Sequence, residues 1–307
     1  MLAALDLGTN SFHLLIAEFV DGQYSIVDRF SQKVQLGEGV FINRVINDDS
    51  ANRGIDCLKL FRGYIDKHPI SETRVIGTQT LRYAENADVF LQKAAELGFD
   101  IEVVSGEKEA FLIYKGVNRI IDNIALPRLV LDIGGGSTEL SVGADISPSA
   151  LTSIPMGCIS WRDTFFADGT ITHAAINDAI AEAKRALVTG SQTILQEQWQ
   201  KVFASSGSAK VLATVLQESK VTDGTITLDG LAYIREKSLT AKSISQLKLA
   251  GLKPQRQDLI IPGMCIMQAL MEFFSLTEVH YSNAALREGL LETSAMAYIA
   301  NRQNSNV

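Results

Sequence analysis

Two short segments of this chain repeat one pattern of residues that can bind an anion. Asp6-Leu-Gly-Thr-Asn-Ser-Phe-His-Leu14 and Asp132-Ile-Gly-Gly-Gly-Ser-Thr-Glu-Leu140 align without a gap, each after an apolar run. Glycine has no Cβ to keep an anion away and tolerates positive φ, so such turns gather backbone N–H groups that bind phosphate oxygens. One such turn is as often purely structural, but two matching turns favour a ligand. The predicted phosphate-binding residues are Gly8, Thr9, Asn10, Ser11, Gly134, Gly135, Gly136, Ser137 and Thr138.

Two acidic residues flank the second of these turns, and their chemistry suits a magnesium ion. Asp132 precedes the triple-glycine turn, and Glu139 follows it on the strand that is expected to return. Across a hairpin the two carboxylates can aim at one point, and Mg²⁺ usually takes one or two carboxylates plus substrate phosphates and waters. The alternative is that both side chains cap the turn or are solvated. The spacing favours the metal, so we predict a Mg²⁺ site at Asp132 and Glu139.

Three further residues are candidates because of the segments they follow. Arg82 comes after a short strand and the run 77–81, where a guanidinium can bind phosphate with two N–H groups. Lys210 comes after Ser206-Gly-Ser208, a small-residue turn that opens a helix and can bind an anion. Glu109 lies in the first turn of another predicted helix, where the helix dipole keeps a carboxylate ionised. From the residues alone, each also fits an ordinary structural role.

The elements that would position these residues follow the order of an α/β domain twice. Apolar runs at Ala3–Leu7 and Phe12–Phe19 predict strands around the first turn, and Leu129–Ile133 and Thr138–Val142 predict strands around the second. Each hairpin precedes a third strand and then helices that alternate with short strands. A repeat as long as a domain indicates a duplicated unit rather than a solenoid. Two such units would bring their turns to a shared cleft, which is a preferred place for ligands.

The remaining pattern supports the same organisation. Helices are predicted from the polar stretch 46–52 through Ile65, over Asn86–Leu97 and from Glu109 to Ile121, with Ser105 as an N-cap. Short strands are predicted at Arg74–Gly77, Ile101–Val104, Val202–Ala204 and Glu278–Tyr281, and the rest of the second half is mostly helical to Ala300. Asp122–Arg128 is the best boundary, which gives domains at 1–124 and 125–307.

The composition excludes several classes of protein. The chain has 307 residues, 46% of them apolar, with 28 Lys+Arg against 35 Asp+Glu and a net charge of −7. A chain this rich in apolar residues is not globally disordered, and an acidic chain without a basic block is not expected to bind nucleic acid. No run of about 18 apolar residues occurs, so no membrane span is expected. Three dispersed cysteines, Cys57, Cys158 and Cys265, favour a reducing compartment, with the cytoplasm as the default.

The set of motifs resembles the exopolyphosphatase/guanosine pentaphosphate phosphatase family of the actin, Hsp70 and sugar-kinase superfamily. The resemblance runs in order over nearly the whole chain. It includes the first and second turns and the segments Gln35-Leu-Gly-Glu-Gly39, Gly77-Thr-Gln-Thr-Leu-Arg82, Val104-Ser-Gly-Glu-Lys-Glu-Ala110, Ser206-Gly-Ser208, Ile261-Pro-Gly263 and Ala285-Leu-Arg-Glu-Gly-Leu-Leu291. The resemblance implies an α/β fold of two related ribonuclease H-like (actin-like ATPase) domains around a central cleft. It also allows a terminal helix, about 285–303, to pack on the first domain.

The resemblance also implies roles for matching residues. Glu109 matches the family's catalytic glutamate, which activates water, and Arg82 matches an arginine that contacts phosphate. Asp132 and Glu139 match carboxylates associated with Mg²⁺, and Gly207 and Ser208 join the two turns as phosphate-binding residues. Lys108 departs from the family, which often has glutamate there. We expect no counterpart of the helical third domain that longer family members carry, and therefore no enclosure of a long polymer by such a domain.

The implied activity is hydrolysis of the terminal phosphoanhydride of inorganic polyphosphate, with guanosine pentaphosphate 5′-phosphohydrolase as the alternative. A small-molecule kinase of the same superfamily would use the same turns with a bound nucleotide and an acceptor hydroxyl. A non-catalytic sensor of polyphosphate or alarmone would keep the turns and need no base. No preference between the two phosphate substrates follows from the sequence, and a homodimer through the helical half is possible but not required.

Overall fold

The structure, a computed structural model, describes residues 1–20, 23–121 and 126–294. The chain divides into two units: the first contains residues 1–120 and the described residues from Ala284 onward, and the second contains residues 121–283. The predicted domain boundary between 124 and 125 lies outside the described residues, as do positions 295–303 of the predicted terminal helix. Both therefore stay predictions.

The first unit is a five-stranded mixed sheet with helices in its connections. The sheet has the strand order β3-β2-β1-β4-β5, with β1 antiparallel to β2 and parallel to β4. Its strands are β1 (Leu2–Leu7), β2 (Ser11–Val20), β3 (Gln23–Lys33), β4 (Glu72–Gly77) and β5 (Ile101–Val103). Its helices are α1 (Val40–Asn43), α2 (Asp48–Ile65), α3 (Gln79–Tyr83), α4 (Ala87–Glu96) and α5 (Gly106–Asn118), with a further helical segment at 286–294.

The second unit has the same sheet topology. Its strand order is β8-β7-β6-β9-β10, with β6 antiparallel to β7 and parallel to β9. Its strands are β6 (Arg128–Ile133), β7 (Thr138–Gly143), β8 (Ala150–Ile154), β9 (Lys201–Ser205) and β10 (His280–Tyr281). Its helices are α6 (Cys158–Phe165), α7 (His173–Gly190), α8 (Ser206–Glu218), α9 (Leu228–Ala241) and α10 (Ile260–Phe273), with 3₁₀ turns at Ile194–Gln196, Ile244–Gln246 and Pro254–Arg256.

The two hairpins that carry the repeated motif are equivalent residue by residue. Leu5 pairs with Leu14 across β1 and β2, and Leu131 pairs with Leu140 across β6 and β7. The last pairs before each turn also correspond, because Leu7 faces Phe12 where Ile133 faces Thr138. All residues of β6 and β7 are buried, as are five of the six in β1. The predicted duplication of one α/β unit is confirmed by this shared topology and register.

Local sequence signals account for the start of α5, the helix that carries Glu109. Ser105 is extended (φ −64°, ψ 159°), and its hydroxyl accepts a hydrogen bond from the Lys108 N–H at 3.1 Å. That geometry is a serine N-cap, which satisfies one of the free N–H groups of the first turn. Glu107 and Glu109 then place acidic side chains at the positive end of the helix. The cap therefore fixes where α5 begins and which face of it presents Glu109.

The segment 286–294 packs on α5 at a crossing that only glycine allows. A Cβ built on Gly116 would lie 1.9 Å from the carbonyl oxygen of Ala285, and one built on Gly289 would lie 1.8 Å from the carbonyl oxygen of Leu112. The two helix backbones are therefore in direct contact. Glu288, only 3% exposed, accepts a hydrogen bond from Arg29 at 2.9 Å. Residues 284–294 thus complete the packing around α5.

The structure differs from the sequence-based expectation between β4 and α4. Arg82, expected in a strand-to-helix loop, lies in the last turn of the five-residue helix α3. α1 was also not predicted; it follows Gly39, whose φ is +73°. A helix of four or five residues is too short to show a 3.6-residue apolar period, which is the signal that the prediction uses. None of the helices within the described part of the chain is both long enough and apolar enough to cross a membrane.

Candidate active site

The turn between β6 and β7 is held so that two of its backbone N–H groups face away from the protein that supports it. The carbonyl of Gly134 accepts from the Cys158 N–H at 2.9 Å, and the carbonyl of Gly135 accepts from the Ile159 N–H at 2.8 Å. In a planar trans peptide the C=O and the following N–H point in opposite directions. The N–H groups of Gly135 and Gly136 are therefore directed away from α6. This is the arrangement that binds an anion.

The first residues of α6 lie directly against this turn. A Cβ built on Gly157 would come within 2.4 Å of the Gly136 nitrogen and within 2.5 Å of the Gly135 carbonyl oxygen. Because both neighbours are backbone atoms, no side-chain movement could make room for it. Thr138 adds a further connection, since its hydroxyl donates to the carbonyl of Met156 at 2.7 Å. The turn is therefore built against a rigid neighbour.

The turn between β1 and β2 is held in a similar way by the segment after β3. The carbonyl of Thr9 accepts from the Gly37 N–H at 3.0 Å, and the carbonyl of Asn10 accepts from the Gln35 N–H at 2.9 Å. The same peptide geometry directs the N–H groups of Asn10 and Ser11 away from that segment. The Thr80 hydroxyl donates to the Thr9 hydroxyl at 2.9 Å, which connects the turn to α3. In each of the two predicted phosphate-binding turns, two N–H groups are thus held in a fixed direction.

Asp132 and Glu139 face each other directly across β6 and β7. Side chains that face each other in this way lie on the same side of the sheet, with Cβ atoms about 4.5–5.5 Å apart. Asp132 is 8% exposed and Glu139 is 2% exposed. The Ser205 hydroxyl donates to Asp132 Oδ2, and the Ser153 hydroxyl donates to Glu139 Oε1 at 2.7 Å. The structure therefore brings the two carboxylates together, each oriented by a serine.

This carboxylate pair fits the chemistry of a magnesium site. Mg²⁺ prefers hard oxygen ligands, and it is usually held by few carboxylates with the remaining positions left to water and phosphate. Donors in an outer shell, such as the two serines here, orient ligating carboxylates. In residues 1–20, 23–121 and 126–294, no group of three or more His, Cys, Asp or Glu side chains is placed to hold a metal ion. An ion held by these two carboxylates would keep its remaining positions for water and substrate phosphates.

The turn that opens α8 adds a cation that the sequence did not indicate. A Cβ built on Gly207 would lie 2.7 Å from Arg256 Nη2, so the guanidinium packs on this glycine. Ser208 donates its hydroxyl to the carbonyl of Ile133 at 3.0 Å, which connects the α8 turn to the end of β6. Lys210 is exposed on α8. Of the three residues predicted here, Gly207 therefore lies beside a cation, Ser208 lies against β6, and Lys210 lies on the surface.

Glu109 and Arg82 form a buried ion pair in the first unit. Arg82 Nη1 lies 2.8 Å from Glu109 Oε2, and Glu109 is 7% exposed. Nη1 also donates to the Val104 carbonyl at 2.7 Å, and Nε and Nη2 donate to the Gln79 side chain at 3.2 and 2.7 Å. A guanidinium has five N–H groups. These bonds use four of them, and the one that is left is on Nη2. Arg82 is therefore fixed by the protein and holds Glu109 in place.

Burial dominates the electrostatics of Glu109. Removing the carboxylate from water raises the pKa of Glu109, while the charge and hydrogen bond of Arg82 act to lower it. A raised pKa means that the group takes up its proton at a higher pH than an ordinary glutamate. A carboxylate with this property is suited to accept a proton from a water molecule.

Substitution of Arg82 is expected to move the acid limb of the pH–activity profile. A base works only when ionised, so activity falls as pH drops through the pKa of Glu109. Arg82→Gln removes the cation that lowers this pKa, so the limb should move to higher pH, and Arg82→Lys should move it less. The measurement is kcat/KM for phosphate release against pH. An unshifted limb in Arg82→Gln would show that Arg82 does not control the ionisation of Glu109.

Several residues that shape the site were not identified from the sequence. For some of them the sequence held a usable signal, and for one it did not. Ser205 pairs with Asp132 across the parallel strands β9 and β6, so a prediction of that register would have found it. Ser153 faces Glu139 across β7 and β8 in the same way. Arg256 gave no signal, because it lies in a three-residue 3₁₀ turn, more than 45 positions along the chain from Gly207.

The duplicated sheet and the paired glycine turns define a two-domain α/β protein of the actin-like ATPase class, as predicted. A solved exopolyphosphatase of Cytophaga hutchinsonii superposes with a TM-score of 0.87 at 25% identity, covering 96% of this chain and 98% of that one. The profile of the Ppx/GppA phosphatase family matches residues 15–297. The chain belongs to the Ppx/GppA phosphatase family.

Two curated relatives of similar identity to this chain carry different enzyme names. A Haemophilus influenzae protein, named provisionally as an exopolyphosphatase, is 38% identical over 291 residues, which cover 94% of this chain and 90% of that protein. A guanosine-5′-triphosphate,3′-diphosphate pyrophosphatase of Aliivibrio fischeri is 36% identical over 291 residues. The chain matches 94% of its own length but only 58% of the length of that second relative. The resemblance inferred from the sequence motifs is confirmed, and the chain is a phosphatase by family.

Proposed function

We propose that the chain hydrolyses the terminal phosphoanhydride of inorganic polyphosphate and releases orthophosphate. The observation that carries this proposal is the buried Arg82–Glu109 pair, in which a carboxylate of raised pKa is held in one orientation. The name of the Haemophilus influenzae relative supports the choice of polyphosphate. The name of the Aliivibrio fischeri relative supports the alternative, which is removal of the 5′-terminal phosphate of guanosine pentaphosphate.

In this proposal Glu109 orients a water molecule and accepts its proton as the water attacks the terminal phosphorus. The bond to the bridging oxygen breaks, and the shortened chain leaves. The N–H groups of each glycine turn are proposed to donate to phosphate oxygens of the substrate. The remaining Nη2 N–H of Arg82 is proposed to do the same beside Glu109. Phosphoryl transfer depends mainly on positioning and charge stabilisation of this kind.

Asp132 and Glu139 are proposed to hold Mg²⁺, with Ser205 and Ser153 orienting their carboxylates. When bound, the ion would neutralise charge on the phosphate oxygens. Gly207, Ser208 and Lys210 are proposed to act further along the phosphate chain from the same unit. Arg256 joins them in this proposal, because its guanidinium packs on Gly207.

The proposed setting is the cytoplasm. Within the described part of the chain all three cysteines are buried and free, which suits a reducing compartment. A homodimer stays a prediction, as does closure of the two domains about residues 122–128.

Phosphate release from defined substrates tests the proposed function. The purified chain is assayed with polyphosphates of several lengths and with guanosine pentaphosphate, each with Mg²⁺ and with a chelator. We expect Mg²⁺-dependent release of orthophosphate from polyphosphate, with a higher kcat/KM than for guanosine pentaphosphate. The opposite ranking would establish the alternative. Tight ATP binding with transfer to an acceptor would contradict hydrolysis and support a kinase, and micromolar polyphosphate binding without turnover would support a sensor.

A further inference from the structure

Two lysines and a phenylalanine share one face of α5 and begin next to Glu109. Lys108, Phe111 and Lys115 are spaced by three and four residues, which places their side chains on one side of a helix. Lys108 Nζ and Lys115 Nζ each lie 5.6 Å from the centroid of the Phe111 ring. We call these three residues the α5 ridge.

The aromatic ring, not a carboxylate, holds the two ammonium groups of the α5 ridge. A cation within about 6 Å of an aromatic centroid is attracted by the ring quadrupole. Over residues 1–20, 23–121 and 126–294, neither ammonium group forms an ion pair or donates a hydrogen bond. By contrast, Lys59 and Lys184 pair with Asp56 and Glu272. Within that part of the chain, therefore, no carboxylate is paired with either ammonium group of the α5 ridge.

The position of the α5 ridge relates it to the proposed reaction. Lys108 directly precedes Glu109, and the Ser105 cap fixes its backbone. At 1.5 Å per residue, the seven steps from Lys108 to Lys115 extend roughly 10 Å along the helix. The start of α5 also contributes the positive end of the helix dipole. Lys108 is exposed, whereas Lys115 is only 7% exposed. The ridge therefore begins with an accessible positive charge beside the proposed base and continues to a second positive charge that the protein largely encloses.

We propose that the α5 ridge binds phosphate groups beyond the one that is cleaved, and that it favours inorganic polyphosphate over a substrate whose phosphates end at a nucleoside. This inference rests on the proposed function. It adds which phosphates of the substrate the protein recognises when it selects polyphosphate. A substrate with more linked phosphates meets both ammonium groups. One with few phosphates meets at most Lys108, so the contribution of the ridge grows with chain length.

Charge reversal at Lys108 tests this proposal. Lys108→Glu should lower kcat/KM for long polyphosphate roughly tenfold, mainly through KM, and progressively less as the substrate shortens toward pyrophosphate. Lys115→Met, which keeps the aliphatic stem, should give a smaller effect of the same kind. The matched control is Lys93→Glu, an identical change at an exposed lysine of α4 in the same unit. The KM of wild type should also rise more steeply with salt than that of Lys108→Glu.

Stability separates this role from a structural one. Glutamate at position 108 would complete a capping box with Ser105, so Lys108→Glu should melt at the same temperature as wild type or higher while binding long polyphosphate more weakly. Equal kcat/KM values for Lys108→Glu and Lys93→Glu at every chain length would overturn the proposal. A loss of kcat/KM in Lys108→Glu that is the same at all chain lengths would also overturn it. If wild type hydrolyses no substrate, the proposed function fails. Equilibrium binding of long polyphosphate then still tests whether the α5 ridge binds phosphate groups. Weaker binding by Lys108→Glu would support it, and equal binding would overturn it.

Discussion

Glu109→Gln is expected to lower kcat for phosphate release by roughly 10²–10⁴ while substrate binding is retained. Glutamine keeps the size of the side chain and can still accept the hydrogen bond from Arg82 Nη1, which is 2.8 Å long in the wild-type pair. It cannot accept a proton from water. The loss should therefore fall on kcat, with KM changed by less than a few-fold. Steady-state release of orthophosphate from polyphosphate, with Kd from equilibrium binding, measures both.

The matched control for this variant is Glu107→Gln, two residues earlier in the same helical turn. Glu107 is exposed, whereas Glu109 is buried against Arg82. Removing one charge of a buried pair is expected to destabilise the fold by about 3–5 kcal/mol, so thermal melting must show that the variant is folded. Near-normal turnover in folded Glu109→Gln would remove Glu109 from the proposed mechanism. Equal losses in both variants would indicate a general charge effect at the start of α5.

Asp132→Asn is expected to reduce kcat/KM roughly 10²–10³-fold and to raise the Mg²⁺ concentration needed for half-maximal activity. Asparagine keeps the shape and can still accept the Ser205 hydroxyl bond, but it removes one of the two charges that face each other across β6 and β7. Activity against Mg²⁺ concentration checks both parts of the prediction. A direct readout is Mg²⁺ binding by calorimetry in the absence of substrate.

Asp178→Asn on α7 is the control for the loss of a negative charge in the same unit, at an exposed position. Its Mg²⁺ dependence should match wild type. If folded Asp132→Asn keeps the wild-type Mg²⁺ dependence, the pair is not the metal site. A second variant, Ser205→Ala, should shift Mg²⁺ dependence in the same direction by a smaller factor, about 10-fold, because it removes only the group that orients Asp132.

How much of the fold could be predicted depended on the length of each pattern. The two D-x-G-x-x-S-x-x-L segments specified both hairpins, because an apolar strand, a small-residue turn and a returning strand are local features. Ser105 likewise marked the start of α5 correctly, since an N-cap acts within three residues. α3 was missed because five residues are too few for a period. The pairing of Ser205 with Asp132 needs the parallel register of β9 on β6, which local patterns do not state.

In the candidate site, too, local features could be predicted from the sequence and contacts between distant segments could not. Glu109 alone looked like an ordinary helix start, and only the resemblance raised it to a candidate base. The structure adds what neither source contained, which is that four of the N–H groups of Arg82 are already used within the protein. Sequence spacing could place the guanidinium near an anion, but its partners come from α3, from Val104 directly after β5, and from α5. Such contacts depend on tertiary packing.

The glycine crossing between α5 and residues 286–294 has a consequence for biosynthesis. Domains generally fold as units while the ribosome delivers the chain from its N-terminus, and most of the first unit emerges early. Its packing around α5 nevertheless waits for Gly289 and Glu288, which are translated after the whole of the second unit. The nascent protein would therefore hold Glu109 on an incompletely supported helix while the second unit is being made. A phosphatase made in this order would not act on its substrate before both units have been synthesised.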